Sequence, residues 1–473
     1  MKSGWIFGCV AGMMVVSGCM TINNAYEAQN AVEKKGNGVC AEGVRKLDLS
    51  DYSLKELVQF AMTNRPSMTS AALAVVDARL ALKEIAADAP LVSYSPWTSP
   101  HLALSGGYSE SSTPDTPIIW QTEGNASAGL SLDILVYDFG RNASRASAQV
   151  ERVLAAENDF IRAGYAVFTE VATAYFNLME SDALLSVAIT NETEFALHLK
   201  EAEDRLAAGE AMKLDVTRAR SNLYQAREEV IVASNNVVTS GASLMKALGI
   251  DVSHGVRDEV YPASGDGLMT MRRGFARTDY GIDSAFDLAR TNAPSMAVAR
   301  AQLRAASRQV DYAIADLMPS VSAQVGISWA DPLWAWHWGV DAAQSVFTGF
   351  RKVTAVDRAV VAMQGAATAV DEAEQQLSLD LETAIAVRDN AVKKLETARM
   401  SVQEAREDLG LVKQQYQEGE VSRVDFTEAV TSYAKALGNR ISAFYTNQRA
   451  EAALFAIVGR VPEYEEKEVK EKR

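Results

Sequence analysis

The sequence predicts a mainly α-helical chain with a small membrane β-barrel portion, built as two internal repeats of helix, β-hairpin, long helix, turn and helix. Three observations carry this reading. The chain aligns with itself in a fixed register, it holds two very long Pro-free helical stretches, and its tryptophans gather in short segments of period two. At 473 residues the length alone would suggest three domains. The internal repeat overrides that expectation.

Composition narrows the classes further. Hydrophobic residues make up 48%, charged residues 23%, and mean hydropathy is −0.07, which fits neither a disordered chain nor a bundle of membrane helices. The balance of 46 Lys and Arg against 61 Asp and Glu gives a net charge of −15 with no basic run or stripe. Nucleic acid is therefore excluded as a partner.

From the N-terminus, Met1-Lys2 is followed by an apolar stretch from Trp5 to Val16 and then Ser17-Gly18-Cys19. The stretch is too short for a membrane-spanning helix and has the layout of a secretory signal over residues 1–18. Its small-residue end resembles a bacterial lipobox, in which Cys19 becomes the acylated first residue. The alternative is an ordinary signal cleaved near Gly18, with Cys19 incidental. Cys9 leaves with the signal, so Cys40 stands alone and no disulfide framework is possible. Residues 19–53 lack periodicity and read as a lipid-anchored extended segment.

The first repeat covers residues 54–249 and the second 284–460. Leu206-Ala-Ala-Gly209-Glu210 aligns with Tyr416-Gln-Glu-Gly419-Glu420 at an offset of 210, which also pairs Asp215 with Asp425, Thr217 with Thr427 and Gly249 with Gly459. Upstream, Asn64-Arg65-Pro66-Ser67-Met68 matches Asn292-Ala293-Pro294-Ser295-Met296 at an offset of 228. The first copy is therefore longer by 18 residues between Pro90 and Val136. Helices are expected at Leu54–Ala89, Arg141–Ala207 and Lys213–Leu248, then at Ser284–Met318, Arg351–Gln417 and Arg423–Val458. The 67-residue stretches would each be about 100 Å long at 1.5 Å per residue. Gly209 and Gly419 sit where a glycine C-cap ends a helix, so each following helix turns back antiparallel. The half-length helices before the hairpins would stack end to end on these returning helices. Residues 250–283 form a linker at mid-height, and residues 461–473, almost entirely Glu, Lys and Arg after Pro462, a solvated tail.

The hairpins, about 93–136 and 320–346, alternate apolar with polar residues. Ala128, Leu130, Leu132 and Ile134 alternate with Gly129, Ser131 and Asp133, and Trp334, Trp336, Trp338 and Val340 with Ala335, His337, Gly339 and Asp341. Of seven Trp, only Trp5 lies away from these windows, while Trp97, Trp120, Trp329, Trp334, Trp336 and Trp338 lie in or beside them. Aromatic belts and strands alternating apolar-out with polar-in mark transmembrane barrels. Four strands cannot close a barrel and open edges are not tolerated in hydrocarbon, so several chains must share one: eight strands in a dimer, twelve in a trimer. The Ser/Thr/Pro-rich stretch Ser111–Pro117 is expected as the loop at the tip of the longer hairpin.

These features resemble the TolC-like outer-membrane efflux protein family, specifically its lipid-anchored members. The likeness rests on Val136-Tyr-Asp-Phe-Gly-Arg141 and Val346-Phe-Thr-Gly-Phe-Arg351 at the strand-to-helix junctions. It rests equally on the breaks Leu206-x-x-Gly209-Glu-x-x-x-x-Asp215 and Tyr416-x-x-Gly419-Glu-x-x-x-x-Asp425. It implies a homotrimer with a twelve-stranded barrel in the outer membrane and a helical tunnel across the periplasm. It further implies docking to a periplasmic adaptor and, through it, to an inner-membrane transporter, with the duct serving efflux or type I secretion by passive transport. Gly209, Glu210, Gly419 and Glu420 would then meet the adaptor at the periplasmic tips. Asp425 and Glu428, three apart on one helix face, would contribute to a ring of carboxylates that favours cations at a periplasmic gate. In the first repeat the equivalent positions are Asp215 and Arg218, which could equally form a helix-face ion pair.

Enzyme chemistry finds no footing. His101, His198, His254 and His337 lie in separate segments without ligands at metal spacing, and no nucleophile, phosphate-loop or dinucleotide motif occurs, so no cofactor is expected. The competing expectation is a non-conducting periplasmic scaffold lipoprotein whose sheets pack internally.

Overall fold

The computed structural model describes residues 54–87, 101–116, 119–209, 212–250, 282–330, 333–345, 347–418 and 420–459. Cys19, Trp97, Glu210 and Gly419 lie outside these residues, as do the expected signal, the N-terminal segment, most of the linker and the tail. The chain is mainly helical. In order it forms α1 (Leu54–Asn64), α2 (Pro66–Ala87), β1 (His101–Thr116), β2 (Ile119–Tyr137), α3 (Arg141–Ala207) and α4 (Lys213–Leu248). There follow α5 (Ile282–Asn292), α6 (Pro294–Ala315), β3 (Ser320–Ala330), β4 (Leu333–Ala343), α7 (Arg351–Glu418) and α8 (Arg423–Val458).

Two expectations are corrected here. The helices expected as unbroken before each hairpin are each split, at Arg65 and at Ala293. Pro66 and Pro294 explain the breaks, because the ring disfavours helical geometry in the residue before it while fitting the first turn of the next helix. Ala293 accordingly has φ −64° and ψ 124°. The second correction concerns Ser111–Pro117. Residues 111–116 extend β1 instead of looping, pairing Ser111 with Glu123 and Thr113 with Gln121, with an irregularity between Pro114 and Thr116. Proline is tolerated there because the β1–β2 ribbon at Pro114 runs beyond β3, whose pairing with β2 stops at Ser127.

The principal core lies where α1, α3, α4 and α8 meet. Leu54, Leu57, Val171, Phe176, Leu244, Leu248, Ile441 and Tyr445 are all nearly inaccessible within it. A second core joins α5 and α6 to α7 and the end of α8 through Ala285, Ala289, Met296, Leu381, Leu454 and Val458. Alanine at so many contact positions lets helix axes approach closely, and large aromatic residues fill the remaining gaps. Arg449 crosslinks α8 to α3, donating to Asn177 Oδ1 at 2.7 Å and Glu180 Oε2 at 2.6 Å.

The returning helices end against the breaks. Gly249, in left-handed geometry (φ 78°), would place a Cβ 3.2 Å from Arg65 Cα, and Gly459 (φ 72°) would place one 2.7 Å from the Asn292 carbonyl oxygen. Each returning helix thus ends at the joint between the two preceding helices, and not simply in line with one continuous rod. Tyr165 reaches across from α3 to donate to Gly459 O at 2.8 Å, and burial pushes its phenol above the usual value, keeping it a donor. Gly459→Ala should therefore lower the unfolding temperature measurably more than Gly209→Ala. Both pay the left-handed penalty of about 1 kcal/mol or more, but at Gly209 (φ 79°) nothing lies within 4 Å of the added methyl. Equal shifts by circular dichroism would show that the Asn292 contact is not tight.

Candidate channel elements: the four-stranded sheet and the helical tips

Each strand-to-helix elbow is made by two successive left-handed residues, Phe139 (φ 54°) and Gly140 (φ 84°) before α3, Gly349 (φ 62°) and Phe350 (φ 61°) before α7. Buried Asp138 holds the first elbow, accepting from Gly140 N at 3.1 Å and Asn142 N at 2.6 Å. Arg141 and Lys352, in the first turns of α3 and α7, both converge on the Asp316 carboxylate at 3.3 Å. Cations at helix N-termini oppose the helix dipole. The shared carboxylate offsets this and fixes both elbows to the end of α6.

Above the elbows, β1-β2-β3-β4 form one antiparallel sheet in that order. The ladder sets Leu132 opposite Val325 and Val325 opposite Trp338, then Leu130 opposite Ile327 and Ile327 opposite Trp336. It likewise aligns Ala128, Trp329 and Trp334 in one row, and Ile134, Ala323 and Val340 in another. Opposed residues share a face, so four apolar rows cross three strands, and in β1 Leu102 and Leu104 stand opposite Leu132 and Leu130. Rows two residues apart rise by about 6.8 Å. Four rows span on the order of 20 Å, comparable with the roughly 25 Å apolar band of outer-membrane barrels.

That face is open. Trp334, Trp336 and Trp338 are 71%, 73% and 69% exposed, with Val325, Ile327 and Val340 beside them at half exposure or more. The opposite face carries Ser131, Gly326 and His337 in one row, Asp133, Gln324 and Gly339 in the next, then Ser322 and Asp341, interrupted by Leu135 and Ala335. Among the described residues, β1 pairs only with β2 and β4 only with β3, so the outer edges of β1 and β4 have no strand partner. The tryptophans divide accordingly. Trp334, Trp336 and Trp338 climb β4 one above another, Trp329 stands beside Trp334 with ring centroids 6.3 Å apart, and Trp120 lies opposite Pro114 in the upper ladder.

At the other end, the helix breaks have different chemistry in the two halves. After α3, Ala208 N and Gly209 N close the helix by bonding to Asp204 O and Leu206 O, and Gly209 is exposed in left-handed geometry. After α7, Glu420 N bonds back to Gln415 O, leaving the Glu420 side chain exposed. Asp425 and Glu428 are both exposed on the first turns of α8. The structure gives Asp425 a local role as well. It forms a capping box with Ser422, accepting from Ser422 N at 3.2 Å and Ser422 Oγ at 2.6 Å, just as Asp215 accepts from Met212 N at 3.0 Å.

Behind the turns lies a clasp that the sequence reading missed. Tyr416 stacks on Phe426 at 5.0 Å and 17°, Phe426 meets the edge of His198 at 4.7 Å, and the Arg205 guanidinium sits 5.3 Å from the Tyr416 ring and donates to its hydroxyl at 3.3 Å. Phe195, Leu223, Ala226 and Val430 complete this small core. The clasp joins α3, α4, α7 and α8. Tyr416 was legible as a break-motif residue, but Arg205 lies 211 residues away and Phe426 lies across the helix break, so no local pattern points to either.

Among the described residues, no cluster of His, Cys, Asp or Glu could hold a metal, and no helix is long and apolar enough to cross a membrane. The sequence profile of the outer membrane efflux protein family matches residues 57–250 and 285–460. No protein of curated function matches the sequence. Among solved structures, CusC, described in terms of folding and transmembrane channel formation, superimposes with a TM-score of 0.73 at 21% identity, covering 86% of this chain and 92% of that one. A membrane protein from Pseudomonas aeruginosa gives 0.71 at 22% identity over 87% and 94% of the two chains, and the Campylobacter jejuni CmeC outer membrane channel 0.71 at 17% over 86% and 85%.

Proposed function

Because this chain belongs to the outer membrane efflux protein family, we propose that it is the outer-membrane exit duct of a tripartite efflux pump or type I secretion system. The carrying observation is the sheet, with one continuous apolar face crowned by exposed tryptophans, one polar face, and two open edges. Hydrocarbon tolerates the apolar face but not the edges. Joining β4 of one copy to β1 of the next in a trimer closes twelve strands with the polar face inward, and the long helices continue that passage below the elbows.

The two halves support a reading as internal repeats. Both run helix, helix, strand, strand, helix, helix, with helices of 11, 22, 67 and 36 residues in the first half and 11, 22, 68 and 36 in the second. In this reading residues 54–249 and 284–460 are the repeats, joined by the linker at 250–283. Residues 1–18 are removed and Cys19 carries lipid that anchors the 19–53 segment in the outer membrane. The turns with Gly209, Glu210, Gly419 and Glu420 receive a periplasmic adaptor, which connects to an inner-membrane transporter that supplies the energy, so passage through the duct is passive.

Asp425 and Glu428 are the proposed gate, where three copies would present six carboxylates around the axis. Since Asp425 also caps α8, the informative variant is Asp425→Asn/Glu428→Gln, because an amide oxygen can still accept from Ser422 while the charge is lost. In planar bilayers the full protein should give small cation-selective steps, and the double variant should lose most of that selectivity. Unchanged selectivity would discard this gate. Absence of steps from folded, unsubstituted protein would instead favour a non-conducting scaffold.

A further inference from the structure

On the polar face of the sheet, polar side chains repeatedly stand opposite glycines and lie over them. A Cβ built on Gly326 would fall 2.4 Å from His337 Cε1 and 2.5 Å from Nε2, so the imidazole covers that glycine. Gln324 lies over Gly339, its Cγ and Nε2 3.9 Å from a Cβ there, and is tied along the wall by donating to Asp341 Oδ2 at 2.7 Å. Ser105 sits over Gly129, its Oγ 2.9 Å from a Cβ there, and donates to Gly129 O at 3.3 Å. On the opposite face the large side chains stand out into the surroundings.

We infer that these glycines, Gly326 above all, set the free bore of the strand-lined passage by giving polar side chains a seat against its wall. The inference rests on the channel reading, which places this face inward. A side chain at position 326 occupies the space of the imidazole, and a strand cannot move outward without breaking its ladder. The ring must then swing into the passage. In a closed barrel every copy would contribute one such ring at the same height, so the narrowing would be concentrated at one level. Gly326 is thus a residue that determines the size of solute admitted, acting through His337.

The test is a size-graded labelling experiment on the membrane-embedded full-length protein. Ser131, beside Gly326 in the same row, is replaced by Cys in a Cys40→Ser background, the same chain without Ser131→Cys serving as blank. Maleimides carried on poly(ethylene glycol) of increasing length are applied from outside. The largest reagent that reacts should be smaller in Gly326→Val and return to the original size in Gly326→Val/His337→Ala. An unchanged cut-off in Gly326→Val, or no recovery in the double variant while both remain assembled, would overturn the inference. If Ser131→Cys fails to react with any water-soluble maleimide while Trp336→Cys reacts readily, the assignment of faces and with it the channel reading fails.

Discussion

Trp336→Arg should keep the sheet from inserting into the membrane, while His337→Arg, one residue along, should leave it inserted. Trp336 is 73% exposed near the middle of the apolar rows, and His337 stands on the opposite face over Gly326. A cationic side chain facing lipid near the bilayer midplane costs about 2–4 kcal/mol. The loss of the indole's apolar area adds about 25 cal/mol per Å². Multiplied over the copies that share a barrel, the penalty is large enough to abolish insertion. On the polar side the arginine meets water and the Asp133 and Asp341 side of the sheet. The measurement is the fraction of protein whose strands resist protease added to opened outer-membrane fragments, because lipid on Cys19 would keep either variant at the membrane. Equal protection of both variants would show that the two faces do not differ in environment.

The second large effect is expected at Phe426→Ala. Phe426 is 5% exposed, stacked on Tyr416 and edge-on to His198, in the small core that holds all four tip helices together. Truncating a buried phenylalanine costs about 3–5 kcal/mol. The cluster is small and separate from the mid-height core, so the loss falls on local opening and not on that core. Amide exchange in residues 195–205, 213–226 and 409–430 should accelerate by on the order of 100-fold or more, with exchange around Phe176 and Tyr445 unaltered. Leu411→Ala, at a residue 59% exposed, should change neither. A uniform acceleration along the helices would mean that the tip is not an independent unit.

These expectations depend unequally on the sequence. The helix boundaries at Arg141, Ala207, Lys213, Leu248, Arg423 and Val458 were legible because glycine and the absence of proline act locally. The breaks at Arg65 and Ala293 were legible too, in Pro66 and Pro294, which served here only to align the two repeats. Ser111–Pro117 misled because residues suited to turns also serve where a two-stranded ribbon runs beyond its sheet and a missing donor costs little.

What the sequence by itself determined is the order of helices and strands and the alternation of the hairpins, since each depends on residues a few positions apart. The tertiary structure alone decided which side chains share a row, that Asp316 gathers Arg141 and Lys352, that Tyr416 clasps Arg205 and Phe426, and that His337 rests on Gly326. Those are contacts between segments up to about 210 residues apart or across a strand register. Periodicity says which way a side chain alternates, but only the packed registers of neighbouring elements say what it meets.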